Sequence, residues 1–138
     1  MALKDLRPAL RAFLLGDGTI STLVGGARIY PGQVPQGVVL DSIVYTEISS
    51  VGDHHSTGPS GLTAPRIQLT AWSKTSDGAH ALGLAIKAKL DGYAGVMGTG
   101  GAAVTVQGAF FDSWRDLYDD VTKLFGKNSD YFINYNEF

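Results

Sequence analysis

A chain of 138 residues, 44% hydrophobic and 17% charged, has the length and composition of one folded unit, which argues against disorder and against a fibrous repeat. A formal net charge of −2 argues against strong non-specific attraction to nucleic acid or to an anionic membrane. Cysteine is absent, which excludes disulfides and thiolate metal sites and is compatible with a reducing compartment.

In the opening stretch MALKDLRPALRAFLL, Leu3, Leu6, Leu10, Phe13 and Leu14 recur at helical spacing, with Lys4, Arg7 and Arg11 opposite. Asp5 is placed to cap this helix, Pro8 falls in its first turn where a missing N–H does no harm, and Gly16 marks its end. The basic residues read as the wet face of the helix rather than a phosphate site, and with Asp5 they interrupt any secretory h-region. No apolar run approaches the roughly 20 residues of a membrane span. A short helical turn is expected over Ile20 to Val24, broken by Gly25 and Gly26.

Arg28 to Tyr30 reads as a short strand, followed by PGQVPQG, too rich in proline to pair centrally in a sheet. Ser42 to Ser50, SIVYTEISS, is β-branched and aromatic, hence a strand. Arg66 to Ser73 alternates, with Ile67, Leu69 and Ala71 on one side and Arg66, Gln68, Thr70 and Trp72 on the other. GDHHSTGPSG, residues 52–61, lies between these strands as a long hairpin excursion. Thr75 to Leu90 gives the strongest helical pattern, with Thr75 as cap, Asp77 in the first turn, Lys87 and Lys89 near the end, and Gly92 at the exit. A glycine-rich loop, GVMGTGGAA, precedes a strand around Val104, Val106 and Phe110. An acidic turn, RDLYDD, then leads to a last strand, DYFINYNEF. The order predicts a single α+β domain over residues 1–138, with a mainly antiparallel sheet of four to five strands and two main helices packed on it.

No catalytic constellation assembles from these elements. His54 and His55 are consecutive, so in extended chain they project to opposite faces, and no second cluster completes a zinc set. His80 lacks the H-E-x-x-H arrangement. Ser60 sits in GPSGL, where Leu62 replaces the last glycine of a nucleophile elbow and a strand follows instead of a helix. Gly98, Gly100 and Ala103 match G-x-G-x-x-A, but β-branched VTV follows where a dinucleotide site needs a helix N-terminus. Asp112, Asp116, Asp119 and Asp120 lack the glycine and the glutamate of a calcium loop. Neither a metal nor a cofactor is expected. The alternative in another class is a small hydrolase or metal-binding enzyme centred on His54, His55 and Ser60. What remains is a set of furnished loops suited to contact: Asp53, His54, His55, Pro59 and Ser60 in the excursion, Arg66 and Trp72 on the polar side of a strand, and Trp114, Arg115, Asp116, Tyr118 and Asp119 at the acidic turn. Trp72 needs a partner or a covering helix, because the apolar side of its strand is already supplied.

Taken in order, RIYPGQVPQG, SIVYTEIS, HHSTGPSGLTAPRIQLTAWSKT, LDGY, VQGAFFDSWRDLYDD and DYFINYNEF resemble the tail-completion proteins of long-tailed bacteriophages, prophages and gene transfer agents. The likeness runs over nearly the whole chain, and GPSGL, R-I-Q-L-x-x-W and RDLYDD are its most specific parts. LDSIVY departs from the proline the family tends to place before that strand, and the Gly98 to Ala103 loop is generous for the family. The resemblance implies a tail terminator, a virion protein held in the host cytoplasm before assembly. Such a protein forms a ring, commonly hexameric, on the finished tail tube, stops its growth and joins it to the head connector or head-completion protein. DNA then passes through the lumen without specific binding, and no membrane is involved. Another neck or tail component, a head-completion or tube protein, is the alternative within that class.

Overall fold

The computed structural model describes residues 4–33, 35, 41–50, 52–55 and 58–137, the side chains of 52–55 and 58–60 lying outside the description. Two short helices open the fold, α1 (Leu6–Leu15) and α2 (Gly18–Leu23), followed by strands β1 (Ile29–Pro31), β2 (Ser42–Ser49), β3 (Gly52–His55), β4 (Gly58–Thr63) and β5 (Arg66–Ser73). Helix α3 (Ser76–Leu90) leads to β6 (Gly95–Met97), β7 (Val104–Asp119) and β8 (Leu124–Asn136).

Each helix begins on a side-chain cap. The Asp5 carboxylate accepts the Arg7 N–H at 3.0 Å, Asp17 accepts from Thr19 and Ile20, and the Thr75 hydroxyl accepts from Gly78. Arg11, expected on a wet face, instead reaches across to donate to the Ile29 and Ala27 carbonyls, both at 3.0 Å. Those two bonds tie α1 to the start of β1.

Strand β8 is central. On one flank it pairs antiparallel with β5 from Phe125 to Phe132 and with β4 at Tyr135 and Asn136. On the other flank it pairs with β7 from Leu124 to Tyr135. β2 lies antiparallel to β5, and β1 adds parallel to β2, so the sheet is mixed, with eight strand segments in place of four or five. The additional strands arise where glycine and polar residues had suggested loops. GVM forms β6 against Val104–Val106, and the excursion after β2 is itself the ladder β3–β4. RDLYDD is another correction: Arg115 to Asp119 continue β7, and the turn falls at residues 120–123, with Lys123 at φ 60°.

The helices cover one face of this sheet. Leu6, Leu10 and Leu14 of α1, Ile20 of α2, and Leu82, Ile86 and Leu90 of α3 bury against Ile43, Ile67, Leu69, Tyr131 and Ile133. Each such side chain contributes about 1.5–3 kcal/mol by leaving water. Gly83 brings α3 close to the sheet, since a Cβ there would stand 2.8 Å from the Lys127 side chain. At the core centre Tyr131 is fully buried. Burial pushes its phenol pKa well up, and its hydroxyl has no hydrogen-bond partner among the described residues. An unpaired buried hydroxyl costs about 1–3 kcal/mol. Tyr131→Phe should therefore raise the melting temperature by a few degrees; a variant less stable than the parent in thermal unfolding would show that the hydroxyl is satisfied.

Candidate interaction surface

The residues singled out from the sequence fall into three regions of one sheet. The first is the arm. β2 runs on into β3, and β4 runs on into β5, so the two pairs make one long hairpin. Leu62 and Thr63 of β4 pair with β8, the Glu137 N–H donates to the Gly61 carbonyl, and among the described residues β3 pairs with β4. The ribbon beyond Gly52 and Gly61, with the pairs His54–Pro59 and His55–Gly58, therefore runs past the end of β8. The positions Asp53, His54, His55, Pro59 and Ser60 all lie on it; their side chains lie outside the described residues. A two-stranded ribbon is marginally stable on its own.

The second region is the base of the arm, on the sheet face opposite the helices. Arg66 donates to Asp130 at 2.6 Å and to Asp112 at 3.1 Å, and its guanidinium stands 5.5 Å from the centre of the Phe132 ring. The hydrogen bond to Asp130 raises the Arg66 pKa further, so the charge is permanent. Phe132 pairs directly with Phe110 across the ladder, and the two rings are 37% and 51% exposed. The sequence gives no sign of this aromatic pair, because its pattern groups Phe110 with Val104 and Val106. A bulge between Val106 and Gly108 reverses the alternation, so Ala109 turns to the core and Phe110 to the open face. Trp72 shares that face. What meets it is the sheet itself: Gly126 lies directly opposite, and a Cβ there would stand 2.8 Å from the indole.

The third region is the β7–β8 hairpin. A second bulge, between Phe111 and Ser113, reverses the alternation again and returns Trp114, Asp116 and Tyr118 to the helix side. There Trp114 receives Lys127 at 4.4 Å and Lys87 at 5.0 Å over its ring, and packs against Phe111 and His80. Lys127 is only 8% exposed at its side chain, yet it reaches Asp116, which is 77% exposed, at 3.1 Å. Tyr118 stacks at a tilt on Phe125, and Arg115 is exposed. Asp119 accepts the Val121 N–H at 2.9 Å, and this backbone bond lowers its carboxyl pKa.

Among the described residues no three histidine or acidic side chains group closely enough to hold a metal ion. No described helix is long and apolar enough to cross a membrane.

The sequence model for the tail completion protein gp17 family matches residues 8–133. A search of curated proteins returned no match. Among solved structures, a chain from the virion of a native gene transfer agent particle superposes with a TM-score of 0.74 at 16% identity, over 95% of this chain and 94% of that one.

Two outcomes test the geometry. Gly126→Ala should displace the Trp72 indole and cost about 1–3 kcal/mol, read as a lower melting temperature and altered tryptophan emission; an unchanged emission spectrum would contradict the stacking. For Asp119, a folded-state pKa below the usual 3.8 means that its turn bond stabilises the fold above that pH and fades as pH falls through the depressed value. Asp119→Ala should therefore unfold earlier than the parent at pH 7, with the gap closing towards pH 3.

Proposed function

Because the chain belongs to the tail completion protein gp17 family, a structural family of virion tails rather than an enzyme family, we propose that it acts as a tail terminator. In this role it caps the finished tail tube, stops polymerisation and provides the surface to which the head connector or a head-completion protein binds. The observation that carries the proposal is the family match over residues 8–133. The shared fold with a chain of a gene transfer agent virion supports it.

A terminator must present unlike surfaces to unlike neighbours, and the two ends of β8 support that reading. The arm extends beyond the C-terminal end of β8, whereas the turn at 120–123 closes the opposite end of the same strand. We place one axial neighbour at each end. The ring, taken as a hexamer, closes by one heterologous contact repeated around an axis, which requires two complementary patches per subunit. We assign the arm, with Asp53, His54, His55, Pro59, Ser60 and Arg66 at its base, to contact with a neighbouring subunit or tail component. Trp72, Trp114, Arg115 and Tyr118 are further contact candidates. Asp116 and Asp119 are assigned to an axial face or the lumen, where carboxylates let DNA pass without holding its phosphates. A ring reconstruction with these carboxylates on the outer wall would overturn the lumen assignment.

Complementation decides the function. A producer strain lacking this protein should make abnormally long or unattached tails, and the intact chain should restore joined particles of normal tail length. A variant lacking residues 53–60 should fold as a monomer yet fail to restore them. Normal tails in the null strain would refute termination, and full rescue by the deletion variant would refute the arm's role alone.

A further inference from the structure

We propose that a small recess on the open face of the sheet, between β7 and β8, binds the primary amide side chain of a glutamine or asparagine from a partner protein. Ser113, Arg115, Asn128 and Asp130 line it. Its volume of about 60 Å³ has room for about four water-sized groups, the size of a terminal amide and its methylene. Strand register builds the recess: Arg115 stands opposite Asn128, and Ser113 stands opposite Asp130. The bulge between Phe111 and Ser113 is what turns Ser113 and Arg115 to this face.

Donors and an acceptor both remain available there. Asn128 is only 6% exposed, and its Oδ1 accepts from the Thr70 hydroxyl at 3.0 Å on the β5 side. Its Nδ2 has no hydrogen-bond partner among the described residues, and a nearly buried donor of that kind calls for an acceptor. Arg66 takes Oδ2 of Asp130 at 2.6 Å and Gln68 reaches Oδ1 at 3.4 Å, which leaves lone pairs on both oxygens. Arg115 is exposed, and among the described residues no carboxylate lies within ion-pair distance of it.

The charges around the recess cancel, and that selects a neutral guest. Arg66 and Arg115 stand against Asp112 and Asp130. Asp116, Lys127 and Lys87 lie on the helix side, and Asp119 is about 13 Å further along β7 than Arg115. A carboxylate guest would meet Asp130 and an ammonium guest would meet Arg115, in each case a like charge. A primary amide meets neither: its carbonyl accepts from Asn128 and Arg115, and its NH2 donates to Asp130. An apolar side chain would cover the same donor and acceptor and leave them unpaired. This gives a chemistry to Arg115, named above as a contact candidate, and rests on that assignment alone, not on termination or ring closure.

The test uses the full chain labelled with ¹⁵N and blocked tripeptides alanine–X–alanine, with X glutamine, glutamate, lysine or methionine, at millimolar concentration. The glutamine peptide should shift the side-chain NH2 signals of Asn128 saturably, and the other three should bind at least about threefold more weakly. Arg115→Met, at an exposed position, should weaken glutamine-peptide binding by about threefold or more, with its amide spectrum reporting that it remains folded. The proposal fails if no peptide moves the Asn128 signals, if another peptide matches glutamine, or if Arg115→Met binds as well as the parent. It also fails if those signals move with protein concentration alone, because a second copy then fills the recess. Complementation is independent of these outcomes: a recess that binds no amide leaves termination standing.

Discussion

Hydrogen bonding on both flanks of β8 is the constraint from which the rest of the architecture follows. A strand inside a sheet must satisfy its main-chain groups on two sides, and β8 does so with partners more than fifty residues upstream on one side and its own hairpin mate on the other. Tyr131 and Ile133 thereby face the helices, while Asn128, Asp130 and Phe132 face the opposite way. Thr70 and Asn128 close a buried hydrogen bond across this second face, and Arg66 with Gln68 binds Asp130 there. Once β8 is fixed, α3 has one place to lie, with Gly83 against the Lys127 stem.

Much of this was legible because its signals are local. The caps Asp5 and Thr75 and the apolar stripe of α3 fixed two helices, β-branched and aromatic content fixed β2, and alternation fixed β5. Asp17 capped α2 by the same chemistry and went unrecognised, because the helix it starts is too short to show a stripe. The first half of β8 was hidden for another reason. Lys127 and Asn128 look like loop residues, yet they are buried because their partners, Asp116 and the close helix at Gly83 for the first and Thr70 for the second, come from elsewhere in the chain. No local window contains those partners.

The candidate contact residues are legible in type and illegible in orientation. Aromatic and arginine side chains stand out among glycines in the sequence, but two bulges in β7 decide which way each one faces. Without the first, Phe110 would join the core; without the second, Trp114 would lie on the open face rather than between Lys87 and Lys127. A period-two pattern cannot register an inserted residue that flips it. Family membership, carried by the chain as a whole, was therefore readable where the direction of single side chains was not.

The position of β8 late in the chain sets the timing of synthesis. β2, β5 and β7 each need it, directly or through a neighbour, so an emerging polypeptide holds two unfinished hairpins and helices without a floor until β8 leaves the ribosome. Maturation is then a late, concerted event rather than a stepwise one. A half-made subunit has no completed sheet, so only finished copies are available for assembly.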